Sequence, residues 1–315
     1  MKGVGKGDGW KAVIALAPAG IMLLIFTFFP IFNTIIMSFL EGFTPKSGAG
    51  VFAFNNYFDS VGFGVYKQVL TDHYFWDSLK NTLLLVVISV PLTIIIALMM
   101  AVALNSIKKL QGLYQTIFFL PYVTNTIALG AVFSAMFGSA NTGLINQVIR
   151  IFGGAGINWT NISASYWAFG TVIIVYTVWN GLAFKILVFM SGLQSIDKQY
   201  YDAAKIDGAS KKRILWKITI PLLSPQILYI TITSFIGAFK SYTSIISLVG
   251  KGAYDYGGQD GRQWITVAGY IYKALETPTA PGAYTKASAG AMILLIIILA
   301  CTGIQSFVSR KRVHY

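Results

Sequence analysis

An all-helical polytopic membrane protein is the fold class this sequence predicts, and three observations carry the prediction. Of its 315 residues, 55% are hydrophobic and only 11% charged, with a mean hydropathy of +0.65. A soluble domain is roughly 25% charged, so this chain has less than half the charge such a surface needs. Six long apolar stretches each match or exceed the about 20 residues with which a helix crosses a hydrocarbon core of about 30 Å. The 24 basic residues, against 11 acidic ones, punctuate those stretches. They form no aromatic-interleaved patch, which favours an anionic membrane surface over nucleic acid as the reason for the excess. The hydrophobicity excludes disorder, and the absence of repeats excludes a collagen-like or mucin-like chain. The single cysteine, Cys301, lies in an apolar run and leaves no disulfide to form within the chain.

The elements follow in order. After an N-terminal segment of residues 1–11, the first span, about 12–40, is free of charge between Lys11 and Glu41. It is about twice as long as the 7–15-residue apolar region of a signal peptide, so it reads as an uncleaved span. The second, 81–107, lies between Lys80 and Lys108, and the third, after Lys109, is placed at 113–137. The fourth, 166–190, is interrupted only by Lys185, and the fifth, 221–249, only by Lys240. The sixth, 287–309, runs into Arg310, Lys311 and Arg312 of a tail at 310–315. Backbone polar groups in lipid must be satisfied within the segment, so the spans are helices.

Six spans put both termini on one side. With the N-terminus inside, 14 Lys and Arg are cytoplasmic and 8 external, the other two being Lys185 and Lys240. The outer loops are the longer ones, so the bias is steeper than the totals, and both termini are expected in the cytoplasm. Two sequons, Asn158-Trp159-Thr160 and Asn161-Ile162-Ser163, fall in an outer loop and read as coincidence.

The residues that are missing exclude several functions. There are two histidines, His73 in the first outer loop and His314 in the tail, and no Asp or Glu lies within the six spans. A metal-dependent intramembrane enzyme lacks its ligands here, and no catalytic or metal site is expected. The same lack argues against proton-coupled transport, which uses intramembrane Asp, Glu or His as a relay. It leaves open sodium coupling through backbone carbonyls. No G-x-x-x-x-G-K-[ST] loop is present, so any ATP that drives this protein binds another chain.

The most informative segment is the loop 194–217 between spans four and five. Ser195 is a suitable N-cap, and Asp197 falls in the first turn, where the helix dipole favours an anion. The helix is expected to end near Asp207, with Gly208 in the left-handed position that follows. Ser210 then caps a second short helix running to Trp216, and Pro221 opens span five where a missing N–H costs little. The plain reading is a solvated amphipathic hairpin. The functional one is a docking surface, because the small residues Ala203, Ala204, Gly208 and Ala209 near the turn let another backbone approach closely.

These residues resemble the EAA loop of binding-protein-dependent ABC importer permeases, E-A-A-x-x-D-G-A followed by an apolar stretch and I-x-L-P. This sequence matches it with Asp202-Ala203-Ala204, Asp207-Gly208-Ala209, Ile218 and Pro221, with Asp202 in place of Glu and Ile220 in place of Leu. Leu120-Pro121, Gly143-Leu144-Ile145-Asn146 and Gly192-Leu193-Gln194 fit the sugar-permease branch. The tail from Ser309 to Val313 is similar to its maltose and glycerol-3-phosphate F/A-type chains. Where that branch often has Thr-x-Gly-Gly-Pro after span five, the stretch from Gly250 to Gln259 differs.

The resemblance implies the type I ABC importer transmembrane domain, in a bacterial plasma membrane, as one half of a permease heterodimer. It implies that Asp202, Ala203, Ala204, Asp207, Gly208 and Ala209 couple the chain to a cytoplasmic ATPase dimer, which binds ATP and magnesium. This chain then holds no cofactor and catalyses nothing. An extracytoplasmic binding protein delivers a sugar or oligosaccharide, and nucleic acid is no partner. An ATPase-independent, sodium-coupled transporter or channel is the alternative.

Small and polar residues within spans face protein or water. Thr177, Gly181 and Phe184 share one face of span four, and Ser234, Gly237, Ala238 and Ser241 one face of span five. Both stripes flank the loop, so they are expected to line the substrate pathway, with Phe184 or Tyr242 stacking on a sugar ring. Tyr122 and Asn125 of span three are further candidates. The plainer reading of the stripes is helix–helix packing. Lys185 and Lys240 fall near span ends, where both can snorkel; alternatively Lys240 meets an anionic or uronic substrate.

Overall fold

The computed structural model describes residues 9–44, 58–107, 109, 111–160, 164–249, 264–276 and 280–309. Residues 1–8, the tail 310–315, Gly250 to Gln259 and the second sequon lie outside them.

Helices dominate, in the order α1 (Gly9–Leu23), α2 (Phe29–Met37), α3 (Gly64–Thr71), α4 (His73–Ser106), α5 (Gln111–Val123), α6 (Thr126–Phe137) and α7 (Leu144–Ile151). After these come α8 (Tyr166–Ser195), α9 (Lys198–Ile206), α10 (Lys211–Ile214), α11 (Ile220–Leu222), α12 (Ser224–Phe239), α13 (Thr243–Val249), α14 (Val267–Glu276) and α15 (Ala283–Ser309). A π-helical turn, Leu24–Phe28, joins α1 to α2 into one apolar helix of 29 residues. That helix, α4, α8 and α15 are each long and apolar enough to cross a membrane.

The other two expected spans are broken. Pro121 sits inside α5, where its missing N–H weakens the helix. The chain leaves the helix after Val123, and Asn125 restarts it, its Oδ1 accepting from the N–H groups of Ile127 (2.8 Å) and Ala128 (3.4 Å). The α5–α6 bend is 97°. The second break corrects the expectation that Pro221 opens span five. The helix from Lys211 runs through a π-helical turn, Leu215–Thr219, to Leu222, and Pro221 lies within it. The turn comes at Leu223 (φ −85°, ψ 0°), with a 66° bend before α12. Pro225 then occupies the first turn of α12, where no N–H is required. Counting each bent pair as one span gives six.

The chain forms two compact units. The first comprises residues 1–72 and 271–293. In it two short antiparallel strands, β1 (Leu40–Glu41) and β2 (Ser60–Val61), pair Leu40 with Val61. The Glu41 carboxylate accepts from Ser60 Oγ (2.8 Å) and from the N–H of Gly64 at the start of α3 (2.6 Å). Thr285 Oγ1 donates to the Leu40 carbonyl, and Lys286 pairs with Asp72 at 2.9 Å. These bonds fasten the start of α15 to β1 and to the end of α3.

The second unit, residues 73–270 and 294–315, is built on α4 and α8 packed along each other. They run parallel, since Tyr166 hydroxyl donates to Asn81 Oδ1 (2.6 Å) at one level and Gly181 faces the Thr93 side chain further along both helices. Two apolar clusters grip the pair. One holds Leu85, Ile173, Tyr176, Phe133 and Trp264; the other holds Ala97, Ala101, Ile186, Phe189 and Leu223. At the first cluster α13 crosses α6 so closely that a Cβ on Gly130 would collide with the Ser247 backbone.

Candidate functional site: a polar cavity and an exposed hairpin

Between the two apolar clusters, α4 and α8 change character. Residues 89–93 of α4 and 177–185 of α8 carry Ser89, Thr93, Thr177, Asn180 and Gly181 where the clusters on either side carry Leu, Ile and Phe. A cavity of about 460 Å³ opens at this level, a size in the range of small-molecule sites. The α12 side of it is lined by Thr233, Ser234, Gly237 and Ala238, and the turn after α12 closes it with Lys240, Ser241 and Tyr242.

That turn is fixed by its own hydrogen bonds. The N–H groups of Lys240 and Ser241 donate to the carbonyls of Ile236 (3.3 Å) and Ala238 (3.1 Å), and Thr266 Oγ1 donates to the Ser241 carbonyl (2.6 Å). The Tyr176 hydroxyl donates to the Thr126 carbonyl (3.0 Å) at the start of α6 and accepts from Ser247 Oγ (3.4 Å). Two residues of the cavity wall, Thr177 and Ser241, have buried hydroxyls with no hydrogen-bond partner among the described residues. Buried polar atoms are nearly always paired, and these two are exceptions.

The two stripes anticipated from spacing therefore meet. Thr177, Gly181 and Phe184 of α8, and Ser234, Gly237 and Ala238 of α12 with Lys240, Ser241 and Tyr242 beyond it, all line this one cavity. Tyr122 and Asn125 are not among its lining residues. Tyr122 stacks on Phe184 from behind, centroids 5.8 Å apart with 23° between the rings, and the Asn125 carboxamide is taken up in capping α6. Asn180 and Lys185 also line the wall. Asn180 shares the Thr177–Gly181–Phe184 face at helical spacing, a signal present in the sequence. Lys185 turns its ammonium back to the Gly181 carbonyl (3.1 Å). Ser89 and Thr93 sit one turn apart in an otherwise aliphatic run, which only the packing of α4 on α8 makes part of a cavity.

The loop between α8 and α12 is a helical hairpin whose first cap differs from expectation. Ser195 ends α8, its Oγ donating to the Gly192 carbonyl (2.8 Å). Asp197 is the N-cap of α9, with Oδ1 accepting from Gln199 N–H (2.9 Å). The far end is as the spacing predicts. Gly208 has φ +69°, and the N–H groups of Gly208 and Ala209 donate to the carbonyls of Lys205 (3.0 Å) and Ala204 (2.9 Å). This paired closure is the Schellman arrangement. Ser210 Oγ caps α10 by accepting from Arg213 N–H (3.3 Å). The second helix, however, continues past Trp216 to Leu222.

Asp202, Ala203, Asp207 and Gly208 are exposed, Ala204 is 6% exposed, and Ile206 is 86% exposed at the tip. Asp202 pairs with Lys205 at 2.9 Å across one turn, a surface contact worth at most about 1 kcal/mol. The hairpin thus offers an edge of small side chains beside an apolar isoleucine. The first sequon serves the loop before α8: Asn158 Oδ1 accepts from Ala140 N–H (3.0 Å), and Trp159 Nε1 donates to Asn146 Oδ1 (3.1 Å).

Residues 93–314 match the protein family described as binding-protein-dependent transport system inner membrane component. The lactose transport system permease protein LacF of Rhizobium radiobacter is 29% identical over 308 residues, covering 97% of this chain and 95% of that one. The multiple sugar-binding transport system permease protein MsmF of Streptococcus mutans is 30% identical over 313 residues, with 98% of each chain covered. Among solved structures, a bacterial ABC transporter involved in the import of the acidic polysaccharide alginate superposes with a TM-score of 0.76. It covers 97% of this chain and 96% of its own at 22% identity, which establishes the shared type I transmembrane fold. With this family match over 93–314 and relatives aligned along nearly the whole length, the chain belongs to the binding-protein-dependent inner-membrane permeases of ABC transporters.

Proposed function

We propose that this chain is one of two permease subunits through which a sugar or oligosaccharide, delivered by an extracytoplasmic binding protein, enters the cell. ATP hydrolysis takes place in a separate dimeric ATPase, which holds the nucleotide and magnesium, and this chain hydrolyses nothing. The termini and the hairpin at 194–217 face the cytoplasm, as the distribution of Lys and Arg favours. The observation that carries the reading is the polar cavity between two apolar clusters, walled by the helices that enter and leave the hairpin. Relatives named for lactose and multiple sugars, and the likeness to an alginate importer, favour a carbohydrate.

The mechanism follows from the connections. The ATPase grips the small-residue edge Asp202 to Ala209. A displacement of the hairpin passes along the helix Lys211–Leu222 to the bend at Leu223, and so to α12, which carries Ser234, Gly237 and Ala238. It passes directly into α8 at the other end of the hairpin. The two cavity walls are thus moved by one lever.

Gly237 lines the cavity and a Cβ on it would meet nothing within 4 Å, so a large side chain there is expected to obstruct the cavity. The test is binding-protein-dependent sugar uptake into proteoliposomes containing the complex, wild type against Gly237→Trp. Uptake is expected to fall at least about tenfold with assembly of the complex unchanged. Undiminished uptake in Gly237→Trp refutes the cavity as the pathway, and uptake that survives omission of the ATPase establishes the sodium-coupled or channel alternative.

A further inference from the structure

We infer that the cavity takes a sugar bearing an anionic group, a carboxylate, sulfonate or phosphate, with Lys185 and Lys240 as the residues that recognise the charge. This rests on the reading of the cavity as the translocation pathway and adds the chemical class of what passes through it.

The first ground is charge. Among the described residues, two lysines line the cavity and no Asp or Glu does. The segments that build it contain none either: from Asn81 to Ile196, and from Gly208 to Tyr254, the chain has no acidic residue. Charges at membrane depth are costly and are normally paired or functional, and among the described residues neither lysine has an ionic partner.

The second ground is direction. Lys185 lies ten residues before the end of α8 at Ser195, about 15 Å along the axis. A snorkelling side chain extends toward the nearer helix end. Lys185 does the reverse, its ammonium folding back one turn to the Gly181 carbonyl at 3.1 Å and onto the cavity wall. An ammonium has three donors, so that single bond leaves two for a ligand. Lys240 ends α12 and is exposed.

The third ground is the set of neutral groups beside the charges. Ser241, nine-tenths buried, and Thr177 line the cavity, and their hydroxyls have no hydrogen-bond partner among the described residues. Phe184, backed by Tyr122, presents a ring. Hydroxyls and a ring suit a pyranose, and the two ammonium groups suit an acid substituent on it. Packing alone explains neither the unpaired charges nor the orphan hydroxyls.

The test uses the full complex with its second permease subunit and ATPase, carrying Cys301→Ser in this chain. Gly237→Cys then places a thiol in the open space above. Its modification by anionic sulfonatoethyl and cationic trimethylammonioethyl methanethiosulfonate is timed, each normalised to a small free thiol. The anionic reagent is expected to be favoured by about tenfold or more, the scale on which charge-lined clefts concentrate counter-ions. Lys185→Gln with Lys240→Gln is expected to bring the ratio close to one, whereas Lys185→Arg preserves it. In parallel, trigalacturonate is expected to bind the complex more tightly than uncharged α-1,4-galactotriose, a preference lost in the double glutamine variant. Equal rates for the two reagents, or a ratio indifferent to both lysines, overturns the inference and leaves the pathway intact. A thiol that neither reagent reaches overturns the pathway reading and this inference with it.

Discussion

Gly208 is the residue at which the fold and the proposed coupling can be separated by a graded perturbation. Its φ of +69° lies in the left-handed region, it closes α9, and a Cβ there would meet nothing within 4 Å. Any cost of substitution is therefore backbone cost, without a steric term. For an L-residue the left-handed conformation costs about 1–2 kcal/mol. One or two kcal/mol is a factor of about 5–30 between two states, here the closed hairpin and a frayed one. Asn tolerates this conformation and Ala does so poorly, while a β-branched Val is a genuine outlier there. Binding-protein-stimulated ATP hydrolysis by the reconstituted complex is expected to follow Gly208 and Gly208→Asn together, then Gly208→Ala lower by about fivefold, then Gly208→Val lower still. Pull-down of the ATPase should follow the same order, with the permease heterodimer intact throughout. Wild-type hydrolysis in Gly208→Val would refute the argument that this cap holds the coupling surface. If Gly208→Asn were as damaging as Gly208→Val, the cause would be a lost contact instead of the backbone.

Three further outcomes follow from the geometry. Asp197→Ala removes the cap of α9 and should cost about 1 kcal/mol of local stability, seen as faster proteolysis within 194–217 while the global melting temperature stays put. Asn146 is fully buried and bonds the Ser139 and Ile157 carbonyls, the Ile157 N–H and Trp159 Nε1. Asn146→Ala should therefore cost at least about 1–3 kcal/mol and lower the melting temperature, and an unchanged melt would mean that water replaces all four bonds. Gly130→Ala places a Cβ against the Ser247 backbone at the α6–α13 crossing. Overpacking of this kind costs about 1–3 kcal/mol, so detergent stability should drop, whereas Gly237→Ala, with open space around it, should leave it unchanged.

Much of the fold is legible in the chain itself because the bilayer imposes its own rule. A charge-free run between Lys80 and Lys108 has only one way to satisfy its backbone in lipid, and it is a helix in the structure. The end of the hairpin is legible for a local reason: Gly208 takes a backbone conformation that other residues resist. The start was misread by two residues, since Ser195 and Asp197 are both good caps and the choice between them depends on where α8 stops. That stop lies five residues beyond the expected span end, because Gly192 and Leu193 pack against Leu223 and Gln226. Pro221 misled for a related reason. Pro121 and Pro221 mark weakened helix, but the chain bends only where a free cap at Asn125 or a second proline at Pro225 makes the bend cheap.

Period and composition sufficed for the membrane class, the six apolar stretches and the faces of α8 and α12 that carry small and polar side chains, because those properties repeat along a single helix. Whether the faces meet was a matter for packing. Parallel contact of α4 with α8 brings Ser89 and Thr93 opposite Thr177 and Gly181, and the bend at Leu223 sets α12 across them to enclose the cavity. Asn125, a cavity candidate by its place in span three, is instead taken up in a local cap of α6, and Lys185 lies on the cavity wall with its ammonium folded back to Gly181. A side chain's helical face is written in its spacing. What lies across from that face depends on helices tens of residues away, and no local pattern encodes it.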